Sequence, residues 1–161
     1  MQFQFGDQVI GVTHRDSAAL LDAVQDRLRA GQGFALATIN LDHLVKLHHA
    51  PTFRQAYAAQ DMVVADGNPI VWLSRLACRS VALVPGSDLV IPMAQAAAQA
   101  GRPLMLVGSS AAALAGAAAC LSAKVPGLTL GPCIAPPQGF DPAGADARAI
   151  LDQIAQAGPG L

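Results

Sequence analysis

Short apolar runs alternate with segments of helical pattern from residue 33 to residue 158. The apolar runs at residues 33–40 and 61–66 are typical of buried strands, and those at 102–108 and 127–135 are predicted strands as well. The segments between them repeat apolar residues at helical spacing. Strands that are apolar on both faces and alternate with helices favour a parallel sheet covered by helices, with right-handed crossovers. The sequence therefore predicts an α/β fold.

Capping residues and prolines divide the helical segments. Asp16 or Ser17 can cap the first helix and Gly31 can end it, while Pro69 suits a first helical turn. The predicted helices cover residues 15–31, 41–50, 52–60, 69–78, 86–101, 109–125 and 143–158. A small β-hairpin around Gly6 precedes them. We expect one Rossmann-like domain, 1–161, and we expect it to be incomplete, because a strand should follow the last helix.

The composition excludes several classes of protein. The chain of 161 residues is 53% hydrophobic and 13% charged, which is too apolar for disorder, and its formal net charge of −1 gives no basic field for nucleic acid. The N-terminus lacks a signal peptide, and no apolar run reaches the roughly 18 residues of a membrane span. We therefore expect a cytoplasmic protein, with membrane-surface binding still open. Three scattered cysteines predict reduced, buried thiols (Cys78, Cys120 and Cys133).

Small and polar residues follow the predicted strands. Ligands of open parallel sheets bind at the carboxyl ends of the strands, so these residues are candidates for a binding site. They are Thr38, Asn40, Asp66, Gly67, Gly108, Ser109 and the loop 136–140, joined by Asp88 if its helix begins at the same edge.

Asp66 ends an apolar strand and has two interpretations. Its carboxylate could cap a helix. It could also be a general base within reach of a substrate hydroxyl. Local chemistry leaves both open.

The other candidates have the same ambiguity. Thr38 and Asn40 can point to one side of a strand end, where Asn40 binds sugar hydroxyls or caps a helix. Gly86 and Ser87 open a helix whose N–H groups suit a diphosphate, or they simply cap it. "LVGSS", residues 106–110, is a strand, glycine turn and helix start that suits a phosphate, although it lacks the full dinucleotide motif.

Three histidines, His43, His48 and His49, lie on one predicted helix. No HExxH motif is present and no carboxylate has the spacing of a metal ligand, so a solvated or partly buried helix face is favoured over a metal site. GxSxG is also absent, which gives no support to a serine hydrolase.

Several segments together resemble one family. "ATIN", "VVADGNPIVW", "PGSDL", "LMLVGS" and "PPQGF" occur in the order and at roughly the spacing seen in the WecG/TagA/CpsF glycosyltransferases. The resemblance covers nearly the whole chain. It implies a bacterial enzyme of exopolysaccharide, teichoic acid or enterobacterial-antigen synthesis. Such an enzyme moves a hexosyl or N-acetylhexosaminyl group from a UDP-sugar to a polyprenyl-diphosphate-linked sugar, inverts the anomeric centre, and needs no metal or other cofactor.

The resemblance also implies roles and a location. Asp66 corresponds to the catalytic base. The substrate-binding positions are Thr38, Asn40, Gly67, Asn68, Gly86, Ser87, Asp88, Gly108, Ser109, Gln138, Gly139 and Phe140. Members work at the inner face of the cell membrane, held there by a basic C-terminal segment. We expect no nucleic acid partner, and a homo-oligomer is left open.

Two departures from the family pattern stand out. Relatives commonly carry an arginine shortly before the GSD signature, where this chain has Leu83, and Arg75 and Arg79 lie further upstream. The later strand, the "PKQE"-like signature and the basic C-terminal segment of relatives are not in this sequence. We therefore expect this polypeptide alone to be weakly active or inactive.

Two other functions are compatible with the sequence. "LVGSS" alone supports a Rossmann-like oxidoreductase, which should bind a dinucleotide. The high apolar fraction and the missing arginine support a non-catalytic nucleotide- or sugar-binding or assembly module, in which Asp66→Asn would change nothing. The transferred sugar is also open: N-acetylmannosamine, its uronic acid and glucose all occur in the family that the chain resembles.

Overall fold

The computed structural model describes residues 1–161, which divide into two compact units, Met1–Val90 (unit 1) and Ile91–Leu161 (unit 2). Strands and helices alternate as the sequence predicts, so the α/β class is confirmed, while the single domain stays a prediction. The elements are β1 Gln2–Phe5, β2 Gln8–Gly11, α1 Ser17–Ala30, β3 Leu36–Ile39, α2 Leu41–His49, α3 Pro51–Ala58, β4 Met62–Ala65, α4 Asn68–Leu76, α5 Gly86–Gln99, β5 Leu104–Val107, α6 Ala111–Lys124, β6 Leu130–Ile134 and α7 Ala145–Gln156.

Unit 1 contains the hairpin and a parallel strand pair. β1 and β2 pair antiparallel, and Gly6 between them has a φ of 60°. β3 and β4 pair parallel, with Thr38 opposite Val64 and Ile39 opposite Ala65. This register sets the next residues of the two strands, Asn40 and Asp66, at the same edge.

The core of unit 1 forms around β4, which is buried along its whole length. α1 turns Leu20, Val24 and Leu28 inward. Asp16 caps α1 through the Ala19 N–H, and Gly31 ends it in the left-handed region, as the sequence predicts. Burial of this apolar surface is the main stabilising contribution to a unit of this size.

Asp61 fixes the start of the strand pair. Its carboxylate accepts hydrogen bonds from the Ala35 N–H at 2.9 Å and from Arg27 at 3.0 Å. These two bonds, the Ala35 bond first, hold the pKa of the Asp61 carboxyl below its ordinary value. α1, β3 and β4 are thereby tied together at the end opposite Asp66.

Unit 2 is built on a second parallel pair. β5 pairs with β6, with Val107 opposite Ile134. Residues from α5, β5 and α6 form its core, including Ala94, Leu104 and Leu121. The hydrogen-bonded ladders are thus two parallel pairs, where the sequence predicted one sheet. Burial differs between the pairs, since β4 is buried along its whole length whereas Val107 in β5 is 48% exposed.

The cysteine prediction is half right. Cys78, Cys120 and Cys133 are free thiols, but all three are exposed. Cys78 follows the end of α4, Cys120 lies on an exposed position of α6, and Cys133 lies on an exposed position of β6. Buried thiols were therefore the wrong expectation.

The membrane prediction concerns helix length. None of the helices is both long enough and apolar enough to cross a bilayer.

Candidate active site

Asp66 directly follows β4 and lies beside the first turn of α5. The Gly86 N–H points to its Oδ2 at 3.4 Å, and the Asp66 N–H donates to the Ile39 carbonyl at 2.8 Å. α4, the helix that follows Asp66, begins after Gly67 without any side-chain cap. Asp66 therefore does not cap α4, but it receives an N–H from the first residue of α5, so the capping and general-base interpretations both stay open. Its carboxylate faces the N-terminus of a later helix instead, where the helix dipole is positive.

Thr38 and Gly86 enclose a small space with this carboxylate. A Cβ placed on Gly86 would lie 3.4 Å from Thr38 Cγ2 and 3.9 Å from both Thr38 Oγ1 and Asp66 Oδ2. The space is therefore bordered by one hydroxyl, one carboxylate and the start of a helix. Glycine at position 86 leaves it open, and any side chain there would fill it.

Asn40 lies next to this group and caps α2. Its Oδ1 accepts the His43 N–H at 2.9 Å, so the capping interpretation is confirmed. Its Cβ is 3.8 Å from the point where a Gly67 Cβ would lie. The side-chain NH₂ takes no part in the cap, so a substrate acceptor atom is still able to use it.

Gly67 allows the chain to turn between Asp66 and α4. Its φ of 124° and ψ of 137° are accessible to glycine and strained for every other residue. A Cβ at this position would not clash with neighbouring side chains, since the nearest side-chain atoms would be 3.7 and 3.8 Å away. The backbone angle therefore makes this glycine necessary.

We expect Gly67→Ala to lower the free energy of unfolding by roughly 1–3 kcal/mol through this strain. Gly33→Ala is the matched control, because a Cβ there meets nothing within 4 Å and no left-handed φ is required. Urea unfolding of both variants measures the difference. Equal stability of the two would contradict the strain at Gly67.

The remaining candidates of unit 1 lie at helix starts. Asn68 is the first residue of α4 and is exposed. Ser87 and Asp88 are exposed in the first turn of α5, and the Ser87 hydroxyl donates to Asp88 Oδ1 at 3.2 Å. All three side chains are accessible to a ligand at these helix N-termini.

The candidates of unit 2 follow β5 and β6. Gly108 and Ser109 have φ values of 126° and 58°, and the Gly108 N–H donates to the Ile134 carbonyl at 3.0 Å. Gly139 has a φ of 80° in a turn that the Phe140 N–H closes on the Pro137 carbonyl, with Gln138 exposed beside it. Their participation in the site around Asp66 stays a prediction.

A network under this site was not predicted from the sequence. The buried Tyr57 hydroxyl donates to the Thr38 carbonyl, and His43 Nδ1 lies 2.7 Å from that hydroxyl and 3.1 Å from the same carbonyl. A carbonyl only accepts, so these contacts are all satisfied when Nδ1 carries the proton. Burial first, and the nearby Asp66 charge second, raise the pKa of Tyr57 to about 12.

The sequence carried only a weak signal for this network. Phe53 and Tyr57 are four residues apart, which places them on one face of α3. The ring centroid of His43 lies 5.8 Å from those of both aromatic side chains. Nothing in the spacing indicates that the phenol reaches the end of β3.

The cavity of about 550 Å³ in unit 1 lies elsewhere. It opens between the hairpin and the end of α4, and its lining does not include Thr38, Asn40 or Asp66. The lining residues are Met1, Gln2, Gly11, Val12, Thr13, Ala77 and Arg79. The candidate site is therefore defined by its polar groups at the strand ends and not by cavity volume.

A carboxylate, a hydroxyl and an amide at parallel strand ends, beside a helix N-terminus, define a class of α/β proteins that bind polar or anionic ligands there. The glycosyl transferase WecG/TagA/CpsF family matches residues 8–161, so this chain belongs to that family. The family consists of glycosyltransferases of cell-surface polysaccharide biosynthesis, with a sugar donor and a sugar acceptor. No curated protein shows a significant match. Family membership confirms the resemblance and favours a transferase over an oxidoreductase.

Proposed function

We propose that this protein transfers a hexosyl or N-acetylhexosaminyl group from a UDP-sugar to a polyprenyl-diphosphate-linked sugar, with inversion and without a metal. Asp66 is the general base. The observation that carries the proposal is the position of its carboxylate: it follows a buried strand, borders the space beside Thr38, and faces the start of α5. The acceptor places the work of the enzyme at the inner face of the cell membrane.

The proposed step is a single displacement. The acceptor hydroxyl loses its proton to an Asp66 oxygen while its own oxygen forms a bond to the anomeric carbon of the donor. The bond from that carbon to the UDP oxygen breaks, and UDP leaves with the electron pair. Attack from the face opposite UDP inverts the centre. One carboxylate is sufficient, because no glycosyl-enzyme intermediate has to form.

The leaving diphosphate needs positive partners. Backbone N–H groups at a helix N-terminus supply partial positive charge without a metal, and Gly86 opens such a helix directly beside Asp66. We assign residues 86–88 to the phosphates, with the Ser87 N–H as the donor, because the Gly86 N–H points to Asp66 and the Asp88 N–H donates to the Pro85 carbonyl. Leu83 is uncharged where relatives commonly carry an arginine. Backbone N–H groups therefore supply more of the stabilisation of the leaving diphosphate here.

The sugars need groups that donate and accept hydrogen bonds. Thr38 has a hydroxyl at the edge of the space beside Asp66, and Asn40 retains its NH₂ group. Asn68, at the start of α4, adds an exposed amide. We assign these three residues, with Gly67, to the sugar-binding part of the site. Gly108, Ser109, Gln138, Gly139 and Phe140 are proposed to complete it.

The direct test is UDP release by the purified chain. A polyprenyl-diphosphate-sugar analogue is combined with a panel of UDP-sugars, and the anomeric configuration of the product is read by NMR. We expect acceptor-dependent UDP release with one donor and inversion, and no change when EDTA is added. Saturation-transfer NMR measures UDP-sugar binding in parallel, so that binding and transfer are read separately.

The outcomes separate the two remaining functions. Transfer with retention, or loss of transfer in EDTA, would contradict the mechanism. Binding of a UDP-sugar without any transfer, by a folded chain, would favour the non-catalytic binding module. Neither binding nor transfer with any UDP-sugar would overturn the proposed donor class.

A further inference from the structure

The outer face of α4 carries three large apolar side chains that the fold leaves in solvent. Trp72 is 62% exposed, Leu73 is 40% exposed and Leu76 is 83% exposed. At about 3.6 residues per turn, Trp72 and Leu76 lie one above the other, with Leu73 beside them. The opposite face, with Ile70, is buried. A grouped apolar surface of this kind marks a place where something binds.

The same face carries positive charge. Arg75 is on the exposed side of α4 and Arg79 follows its end, also exposed. No acidic residue lies between Asn68 and Ser80. The ion pairs within unit 1 involve other cations, namely Arg15, Arg27, Arg29 and Lys46. The two arginines are therefore available for an anion outside the unit.

We propose that this α4 surface (Trp72, Leu73, Arg75, Leu76 and Arg79) docks on an anionic lipid membrane. Tryptophan and leucine beside arginines are the combination that lies in a bilayer interface, with the rings and aliphatic chains among the lipids and the guanidinium groups at the phosphates. The chain thus has a membrane-binding surface within residues 1–90.

A second copy of the chain fits this surface less well. In a two-fold contact this surface packs against a copy of itself, which offers no acidic residue between positions 68 and 80 to pair with Arg75 and Arg79. The net positive charge of both surfaces then opposes association. An anionic lipid surface has the complementary charge over its whole area. The charge therefore selects the membrane over self-association.

The α4 surface lies on the helix that directly follows the candidate active site. α4 begins two residues after Asp66 and has 9 residues, so it spans roughly 13 Å. A membrane against its outer face would hold the end of β4 within a short distance of the lipid headgroups. The inference itself rests on exposure and charge, and does not depend on the proposed acceptor.

The single tryptophan of the chain reports the contact directly. We expect the fluorescence of Trp72 to shift to shorter wavelength on vesicles of phosphatidylglycerol and phosphatidylcholine, and to stay unchanged on phosphatidylcholine alone. Arg75→Gln with Arg79→Gln should weaken co-sedimentation by roughly 30-fold, from the contribution of each basic residue near an anionic surface. Added salt should also weaken the binding of the unsubstituted chain to anionic vesicles.

Leu76→Ser has a matched control in Leu151→Ser, because Leu151 on α7 is also largely exposed, at 63%. Vesicle binding should fall for Leu76→Ser and stay unchanged for Leu151→Ser, with circular dichroism showing that both are folded. No fluorescence shift on anionic vesicles, or equal losses for both leucine variants, would overturn the proposal. So would vesicle-independent dimerisation that Leu76→Ser abolishes, which would assign the surface to a second copy. Each readout is binding, so failure here is distinct from failure of the proposed transfer reaction.

Discussion

Asp66→Asn is expected to lower the transfer rate by roughly a hundred- to ten-thousand-fold, the range that a positioned general base contributes. The amide has nearly the same shape as the carboxylate, and its oxygen still accepts the Gly86 N–H. It cannot take the proton of the acceptor hydroxyl. The loss should therefore appear in kcat, with little change in KM for either substrate.

Two other variants make this result specific. Asp22→Asn removes an exposed carboxylate from α1 and should leave kcat and the thermal unfolding temperature unchanged. Asp88→Asn tests whether the other carboxylate of the predicted site is the base. Asp88 is exposed and paired with Ser87, so we expect a smaller loss of kcat than for Asp66→Asn. Wild-type kcat in a folded Asp66→Asn variant would remove Asp66 from the role of base and favour the binding module.

The fold follows from the sequence where local pattern decides it. Alternating apolar runs and helical segments predict the element order, and each observed strand after the hairpin lies inside its predicted run, as Leu36–Ile39 lies inside 33–40. The observed strands are shorter than the predicted runs, because hydrogen-bonded pairing stops where the partner strand ends. The pattern does not report how far β5 and β6 are covered by other elements, and both strands contain exposed residues.

Part of the site also follows from the sequence. Parallel register sets the ends of β3 and β4 side by side, so Thr38, Asn40 and Asp66 were expected together and the structure brings them together. No such rule predicts the position of Gly86. It reaches Asp66 because the segment before it runs along β4, where the Val84 N–H donates to the Ala65 carbonyl at 2.7 Å. A short apolar stretch such as "SVALV" does not reveal that pairing.

Tyr57 shows why the rest was not predicted. Its role depends on how α3 packs against the end of β3, which is a long-range arrangement without a local signal. The outcome is a phenol buried between His43, the Thr38 carbonyl and the charge of Asp66. The pKa of Tyr57 thereby depends on a long-range arrangement that sequence patterns do not predict.

Alkaline pH is expected to destabilise the protein through Tyr57. An unfolded chain ionises tyrosine near pH 10, whereas burial and the Asp66 charge raise the pKa of the native Tyr57 to about 12. Between these values the native state retains a proton that the unfolded state has lost, so the free energy of unfolding falls as pH rises. The contribution is complete below pH 10, and a loss of roughly 1–2 kcal/mol, reduced by solvent screening, is reached near pH 12.

Tyr57 is the only tyrosine, so the ultraviolet absorbance of tyrosinate follows this group alone. The native chain should titrate well above the same chain in urea, and Tyr57→Phe should lose that part of the pH dependence of stability. Asp66→Asn adds a second check. Burial is the larger cause and the Asp66 charge the smaller, so this variant should lower the native pKa of Tyr57 without returning it to its ordinary value. An unchanged titration would contradict the closeness of the Asp66 carboxylate to the Tyr57 hydroxyl.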